Sequence, residues 1–274
     1  MCASYNPSIE HDFYSLKFEK PGHVYIFNNR KFNTGLNIRE GSEKDVQRLF
    51  EIFDELNFDV ECYIDKTAKQ IRTYIRKMSK EIDYSDSGCI LIFIMSHGNE
   101  DKIFGTDGEE VYLSSFIDPF TTVKSLKDKP KLFFFNACRG DEMTPTHDHD
   151  GDDDDEYKAS IHLNELSKTP IVADIAFFFS TTANYYSIRE CENGSWYIQI
   201  LCDVIDKYKT KKDLLQIMTK VNDLVKKKEG KDKKGRLVKM HPTFTSQLGK
   251  EFYFTLPKNV NFYKSIILIQ NVSC

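Results

Sequence analysis

Short apolar runs alternate with longer amphipathic segments along this 274-residue chain, and this alternation constrains the fold more than any other feature of the sequence. The runs at residues 89–95 and 132–135 have the length of buried strands, whereas apolar residues recur at helical spacing in segments that begin at Ser42 and Thr67. Strands that alternate with helices of this length are typical of a parallel sheet. We therefore predict an α/β fold in which helices cover both faces of a mostly parallel central sheet.

The same patterns predict most of the remaining elements. Two further helices are expected at residues 196–208 and 214–225. Ser42, followed three residues later by Asp45, is typical of a side-chain cap at the start of the first helix. The other predicted elements are strands at residues 23–29, 59–64, 175–180 and 252–254, and a small hairpin at 102–113.

Two of the apolar runs end abruptly at residues that can do chemistry. The run at 132–135 is followed closely by Cys138, and the run at 89–95 by His97. Because the carboxyl ends of parallel strands share one edge of a sheet, we expect these side chains to meet there. The thiolate is the nucleophilic form of cysteine, and a neighbouring imidazole supplies the base, so the pair predicts a cysteine hydrolase. The alternative is a structural cysteine and an unrelated histidine. It is disfavoured because both residues lie just beyond an apolar run and close to a glycine.

Two arginines are expected at the same edge of the sheet. Arg39 lies in the loop after the first strand, and Arg189 lies beyond the strand that ends near Thr181. Paired guanidinium groups are a preferred receptor for a carboxylate, because each donates two parallel hydrogen bonds from a permanent charge. Either arginine alone would be interpreted as a surface residue. Together with a reactive thiol they predict a peptidase for acidic side chains.

These segments resemble the caspase family. Ser-His-Gly at 96–98 and Asn-Ala-Cys-Arg-Gly at 136–140 are similar to two signatures of that family, although Asn136 stands where glutamine is usual. The resemblance extends from about His23 to Pro257. Four further stretches carry it: NNRKFNTGLNIREGSEKDV, IFGTDGEEV, TTANYYSIRECENGSWYIQ and KMHPTFTSQLGKEFYF.

The resemblance implies a caspase-like fold and a role for each matching residue. Cys138 is the implied nucleophile, His97 the implied acid and base, and backbone N–H groups of Gly98 and Cys138 form the implied oxyanion hole. No cofactor or metal is implied. Arg39, Asn136 and Arg189 are implied to bind the substrate aspartate, and Tyr186, Ser187, Ile188 and Trp196 to contact the residues before it.

Two positions depart from the family and leave the preferred substrate open. Asn136 carries its amide on a side chain one methylene shorter than glutamine, so we expect a stretched hydrogen bond to the substrate and higher activity in Asn136→Gln. Ile188 stands where an aromatic residue is usual, which leaves a smaller wall.

The resemblance also divides the chain into the regions of a zymogen. These are a short propeptide-like segment at 1–22, a large-subunit region at 23–140, an acidic linker at 141–168 and a small-subunit region at 169–274. Residues 141–156 include nine acids, whose mutual repulsion keeps such a run solvated, and their spacing does not match a calcium-binding loop. Asp150, before the small Gly151, is the favoured cleavage site.

Composition limits the class of protein. The net charge of −4 argues against a nucleic-acid binder, and the basic segment 226–239 lacks interleaved aromatic residues and is interpreted as a solvated loop. The seven cysteines include no Cys-x-x-Cys pair, which is typical of reduced thiols in the cytoplasm. The first twelve residues lack the apolar region of a signal peptide. The apolar run at 266–269 is too short to span a membrane.

The short segment before the first strand resembles effector rather than initiator caspases. The resemblance therefore implies a cytoplasmic enzyme that cleaves proteins after aspartate in apoptosis. It also implies a homodimer of large and small subunit pairs, with inhibitor-of-apoptosis proteins among the candidate partners. Two alternatives stay open. One is a catalytically weak caspase homologue that regulates an active caspase by dimerisation, and the other is a different cysteine peptidase with an acidic or basic preference on a similar sheet.

Overall fold

A computed structural model of the chain describes residues 12–16, 18–140, 173–231 and 235–256. No helix within these ranges is both long and apolar enough to cross a membrane. In chain order the elements are β1 (His23–Asn28), α1 (Ser42–Glu55), β2 (Asp59–Ile64), α2 (Ala68–Glu81), β3 (Ile90–Met95), β4 (Gly98–Asn99), β5 (Lys102–Phe104), β6 (Glu110–Tyr112), α3 (Ser114–Ile117), β7 (Lys131–Asn136), β8 (Ile175–Phe179), β9 (Arg189–Glu190), β10 (Gly194–Ser195), α4 (Trp196–Tyr208), α5 (Leu214–Lys227), β11 (Gly230–Lys231), β12 (Leu237–Val238) and β13 (Thr243–Ser246).

The central sheet has the strand order β13-β8-β7-β3-β1-β2. Its neighbouring strands run parallel, except that β13 at one edge is antiparallel to β8. The predicted mostly parallel sheet is confirmed. In register, Met95 of β3 lies opposite Asn136 of β7, and Phe135 of β7 lies opposite Phe179 of β8. The chain therefore leaves these three strands at nearly the same level, which brings the residues that follow them to one edge.

Helices bury both faces of this sheet, as predicted. On one face Phe93, Phe134 and Phe178 stack in a row beneath α1, α4 and α5. On the other face Phe133 and Phe135 pack in the core that contains α2 and α3. Burial of one such side chain stabilises the fold by about 1.5–3 kcal/mol, so this two-sided core fixes the strand ends firmly.

The start of α1 differs from the prediction. Its N-cap is Gly41 at φ +84°, and no side chain caps the helix. Ser42 is the first helical residue, and the side chain of Asp45 is fully buried. The predicted Ser42 cap is therefore wrong, because a tertiary contact uses the Asp45 carboxylate. Thr67, by contrast, does cap α2.

Two short strands near the end of the described chain also differ from the prediction. Residues 252–254 form no strand, although Phe252 and Phe254 are buried in the core. The edge strand β13 was not predicted, because its polar, half-buried sequence Thr-Phe-Thr-Ser gives a weak apolar signal. The hairpin predicted at 102–113 is present as β5 and β6, with β4 as a third strand.

Candidate active site

A cavity of about 170 Å³ opens at the edge where β1, β3, β7 and β8 end. Open parallel sheets bind ligands at this edge, because loops from several strands meet there. The cavity brings together the predicted nucleophile, the predicted histidine, both arginines, Asn136 and Ser187. Its lining residues are Arg39, Ser96, His97, Asn136, Ala137, Cys138, Ser187, Arg189 and Ser195.

Cys138 lies just beyond β7 in a loop that is fixed by the segment after β8. Arg139 exchanges backbone hydrogen bonds with residues 184–185, at 2.8 and 3.0 Å. A Cβ at Gly140 would lie only 2.3 Å from the backbone of that segment, so the approach requires glycine. The backbone N–H of Ser187 points at Sγ from 3.5 Å. The thiol is therefore held in the cavity by contacts with residues 184–187, which follow β8.

His97 lies just beyond β3, with its ring nitrogen Nε2 2.7 Å from the carbonyl oxygen of Asn37. A carbonyl can only accept, so Nε2 carries the proton and Nδ1 of the neutral ring is an acceptor. The pKa of His97 lies below its ordinary value, because burial, Arg39 and Arg189 all disfavour a further positive charge. The neutral imidazole, which is the form that acts as a base, is therefore favoured.

Arg39 is almost completely buried, with 4% of its surface exposed. Its Nη1 donates to the Asn28 side-chain oxygen at 2.9 Å and to the Asn29 carbonyl at 2.8 Å. Burial and the nearby Arg189 lower the pKa of Arg39 to about 10, which leaves the guanidinium charged at neutral pH. The end of β1 therefore fixes one permanent positive charge at the cavity.

Arg189 lies half-buried on β9, opposite Ser195 of β10. Burial lowers the pKa of Arg189 as well. Within the described part of the chain, neither Arg189 nor Arg39 forms an ion pair, whereas Arg30 and Arg48 do. Two guanidinium groups that line one cavity without an anionic partner are suited to bind a carboxylate.

The amide of Asn136 has partners on both sides and is 2% exposed. Its Nδ2 donates to Ser195 Oγ at 2.8 Å, and its Oδ1 accepts from Ser187 Oγ at 3.0 Å. Ser187 Oγ accepts in turn from Ser180 Oγ at 2.9 Å. Both polar atoms of the shorter amide are therefore already bonded to serine side chains.

Gly98 lies against the peptide that carries Cys138. A Cβ at this position would lie 3.2 Å from the Cys138 carbonyl oxygen, 3.0 Å from Ala137 Cβ and 2.6 Å from the Lys102 carbonyl oxygen. Glycine therefore allows the two strand ends to approach closely. This proximity supports the oxyanion-hole assignment, which stays a prediction.

Tyr186, Ile188 and Trp196 do not line this cavity. Tyr186 is exposed, whereas Ile188 packs against the core. Trp196 is buried, and its indole N–H donates to Glu190 at 2.5 Å. A role for the three in contacting the residues before the aspartate stays a prediction. Asp150, the favoured cleavage site, lies outside the described residues.

Three residues that shape the cavity were not predicted from the sequence. Asn37 acts through its backbone carbonyl, which no side-chain motif reveals. Ser195 contacts Asn136 from a distant part of the chain, and Asp45 was interpreted as part of a cap. One signal for Asp45 was available, since it shares the apolar face of α1 with Leu49, four residues later.

The arrangement suits acyl-transfer chemistry on an acidic substrate. A thiol and a neutral imidazole supply a nucleophile and its base, and two guanidinium groups supply an anion receptor in the same cavity. Among the described residues, no three histidine, cysteine, aspartate or glutamate side chains are grouped as metal ligands would be.

The chain is also similar to known proteins. The family model for the caspase domain matches residues 21–253. Over 88% of its length the chain is 35% identical to caspase-7 of Gallus gallus, with 79% of that protein covered. It is 34% identical to caspase-3 of Bos taurus and of Oryctolagus cuniculus over the same share, with 87% and 86% of those proteins covered. This chain therefore belongs to the caspase family.

Proposed function

We propose that the chain is a cysteine endopeptidase that cleaves proteins after aspartate. One observation carries the proposal: Cys138, His97 and two arginines that lack an ion pair within the described residues line a single cavity. A substrate carboxylate bound by both guanidinium groups would hold the adjacent peptide carbonyl beside the thiol. Positioning of this kind supplies a large part of the rate of acyl transfer.

In the first step Cys138 Sγ attacks the carbonyl carbon of the aspartyl residue and its proton passes to His97. The negative charge that develops on the carbonyl oxygen is stabilised by the backbone N–H groups of Gly98 and Cys138. His97 then protonates the amine as the C–N bond breaks, which leaves a thioester on Cys138.

In the second step water replaces the amine. His97 accepts a proton from water as its oxygen attacks the thioester carbon. The bond between this carbon and Cys138 Sγ then breaks, which releases the aspartyl carboxylic acid and regenerates the thiol. The cycle consumes one water molecule and needs no cofactor.

The substrate is expected to be recognised at more than one residue. Arg39, Arg189 and Asn136 bind the aspartate, and Ser187, Tyr186, Ile188 and Trp196 contact the residues before it. Similarity to caspase-3 and caspase-7 supports a role in apoptotic cell death in the cytoplasm. By the same similarity we propose a homodimer of large and small subunit pairs, with inhibitor-of-apoptosis proteins as candidate partners.

The experiment compares purified protein on tetrapeptide substrates that end in Asp, Asn, Glu or Lys. Cleavage is expected after Asp, with about 10³-fold or greater preference over Asn, because an amide leaves buried guanidinium groups without their charged partner. Cys138→Ala should abolish cleavage, and Arg189→Lys should lower it because lysine lacks the planar fork.

Arg48→Ala is the matched control, since Arg48 pairs with Asp203 on the surface away from the cavity. It should retain full activity. Comparable turnover of Asn and Asp substrates would contradict the two-arginine site. A protein that cleaves nothing, but changes the activity of an added active caspase, would favour the regulatory homologue instead.

A further inference from the structure

The buried carboxylate of Asp45 is not used by the mechanism above. Asp45 lies in the first turn of α1 and is 0% exposed. Its Oδ1 accepts from Ser195 N–H and from Gln199 Nε2, both at 2.8 Å, and its Oδ2 accepts from Ser195 Oγ at 2.5 Å. Burial of a carboxylate is costly unless donors replace the lost water. The three donors meet this need and hold the Asp45 carboxylate in one geometry.

These contacts fix the direction of the hydrogen-bond chain that reaches the cavity. Burial raises the pKa of Asp45, but the hydrogen bonds from Ser195 and Gln199 and the attraction to Arg39 oppose this rise and favour the carboxylate. A carboxylate can only accept, so the single proton of Ser195 Oγ points to Asp45. Ser195 Oγ must then accept from Asn136, which sets Nδ2 of the amide on the Ser195 side and Oδ1 on the Ser187 side. Nδ2 has a second N–H, which can donate a hydrogen bond to a ligand in the cavity.

The backbone around Asp45 is shaped for this contact. A Cβ at Gly194, which has φ +90°, would lie 2.4 Å from Asp45 Oδ1. Gly41, one turn before Asp45, is also packed tightly, since a Cβ there would lie 2.5 Å from the Glu190 carbonyl oxygen. The start of α1 is therefore docked against the β9–β10 hairpin that carries Arg189.

Charge adds a second link between Asp45 and the cavity. Attraction to Asp45 opposes the lowering of the pKa of Arg39 and Arg189 by burial. Asp45 is therefore a negative charge that favours the charged state of both arginines. Since neither arginine forms an ion pair within the described ranges, both guanidinium groups stay available to bind a substrate carboxylate.

We propose that Asp45 is a positioning residue that sets the preference of the cavity for a carboxylate over a carboxamide. Through Ser195 it holds the Asn136 amide with its nitrogen turned to donate to the substrate. If the amide were reversed, Oδ1 would take the place of Nδ2 and would repel a carboxylate, whereas it would accept from the NH₂ of an asparagine. The inference rests on the proposed peptidase function and adds a determinant of its specificity.

Asp45→Asn tests this assignment with nearly unchanged volume. The carboxamide keeps an oxygen for Ser195 N–H and Gln199, but it places an NH₂ group against Ser195 Oγ. The Ser195 hydroxyl then turns toward Asn136 and the amide reverses. The ratio of kcat/KM for Asp over Asn substrates is expected to fall by about tenfold or more, the effect of one lost hydrogen bond to a charged group. A merely structural defect lowers kcat/KM for both substrates equally and leaves their ratio unchanged.

Asp203→Asn is the matched control. Asp203 pairs with Arg48 at 2.6 Å and so also links α4 to α1, but it is largely exposed and does not contact Ser195. This variant should keep the wild-type ratio. If Asp45→Asn does not fold, Ser195→Ala carries the test, because it removes the same link and should lower the ratio in the same direction. An unchanged ratio in the folded variant overturns the proposal.

A second measurement separates this inference from the proposed function. The side-chain ¹⁵N–H₂ resonances of Asn136 report which side of the amide faces Ser195, whether or not the protein cleaves peptides. Contacts from these protons to Ser195 in the wild type, and to Ser187 in Asp45→Asn, are expected. The same orientation in both proteins overturns the proposal, whereas an inactive wild type with the expected reversal overturns only the peptidase function.

Discussion

At the scale of single residues, the Asn136 amide shows how closely the cavity fits its own side chains. Both of its polar atoms are already bonded, to Ser195 and Ser187. One additional methylene in Asn136→Gln must push the amide past these partners or displace it into the space for the substrate. We therefore expect kcat/KM for aspartyl peptides to fall by roughly tenfold, as a displacement of about an ångström at such a site costs this much or more.

This direction is the reverse of the sequence-based expectation. From the family signature alone, glutamine restores a missing hydrogen bond and raises activity. The signature does not show the two serines that bond both polar atoms of the shorter side chain. Measurement of kcat/KM for Asn136→Gln decides between the two expectations. Asn99→Gln, at an exposed position of β4, is the control. A rise in kcat/KM for Asn136→Gln would show that the two serines move aside for the longer amide.

His97 gives the pH dependence at this scale. Burial and two positive neighbours lower its pKa, so the ring stays neutral at a pH where a free imidazole, with a pKa of about 6.5, is half protonated. Activity should be lost as pH falls, with a midpoint in kcat/KM below about 6.5. The midpoint is measured from the pH profile of kcat/KM on an aspartyl peptide whose termini carry no charge. A midpoint above the pKa of free imidazole would mean that a negative group raises the pKa of His97 by more than burial and the two arginines lower it.

At the scale of elements, the tight contact between the start of α1 and the β9–β10 hairpin is expected to be a weak point. Gly41 has φ +84°, and a Cβ there would lie 2.5 and 2.6 Å from the carbonyl oxygens of Glu190 and Cys191. Gly41→Ala should lower the free energy of unfolding by about 1–3 kcal/mol, through backbone strain and collision. Because the hairpin carries Arg189, kcat/KM should fall as well.

Gly35→Ala is the control for this substitution. No atom lies within 4 Å of a Cβ at Gly35, so its effect on unfolding should be no more than about 1 kcal/mol. Urea denaturation of the two variants and the wild type provides the comparison. Equal stability of Gly41→Ala and Gly35→Ala would show that α1 moves away from the hairpin at little cost.

Elements were predictable where one periodic apolar signal determined them. The inner strands β3 and β7 were found because every residue is buried, and α2 because Thr67 caps it locally. The start of α1 was misjudged because Asp45 contacts Ser195, 150 residues away in the chain. Local sequence does not contain such a contact, and the same limit applies to β13, whose pairing with β8 depends on the sheet already present.

At the scale of the whole molecule, the cavity combines residues from both sides of the segment 141–172. Cys138 contacts Ser187, and Asn136 contacts Ser195. The same is true of the core, where β7 lies between β3 and β8. The predicted histidine and cysteine reached one cavity because strand ends in a parallel sheet are close wherever they lie in the chain. The carbonyl of Asn37 could not be predicted, since its position depends on the folded loop after β1.

This organisation makes processing of the linker testable. Protein expressed at high concentration should be recovered as two fragments, cut between about residues 141 and 174, whereas Cys138→Ala should stay intact. Loss of Asp150 alone should move the cut to one of the four acids at 152–155. Intact-mass spectrometry identifies the cut, and identical fragments from Cys138→Ala would assign it to a host protease.

The single tryptophan of the chain gives the molecule a built-in optical signal. Trp196 is buried at 2% exposure, and its indole is held by Glu190 on β9 and covered by the Lys228 ammonium, 5.0 Å from the ring centre. Its emission therefore comes from one defined environment next to the hairpin that carries Arg189. A shift in the wavelength or intensity of this emission when an acidic peptide is added would be a label-free measure of binding. The same measurement is possible with Cys138→Ala, which retains Trp196.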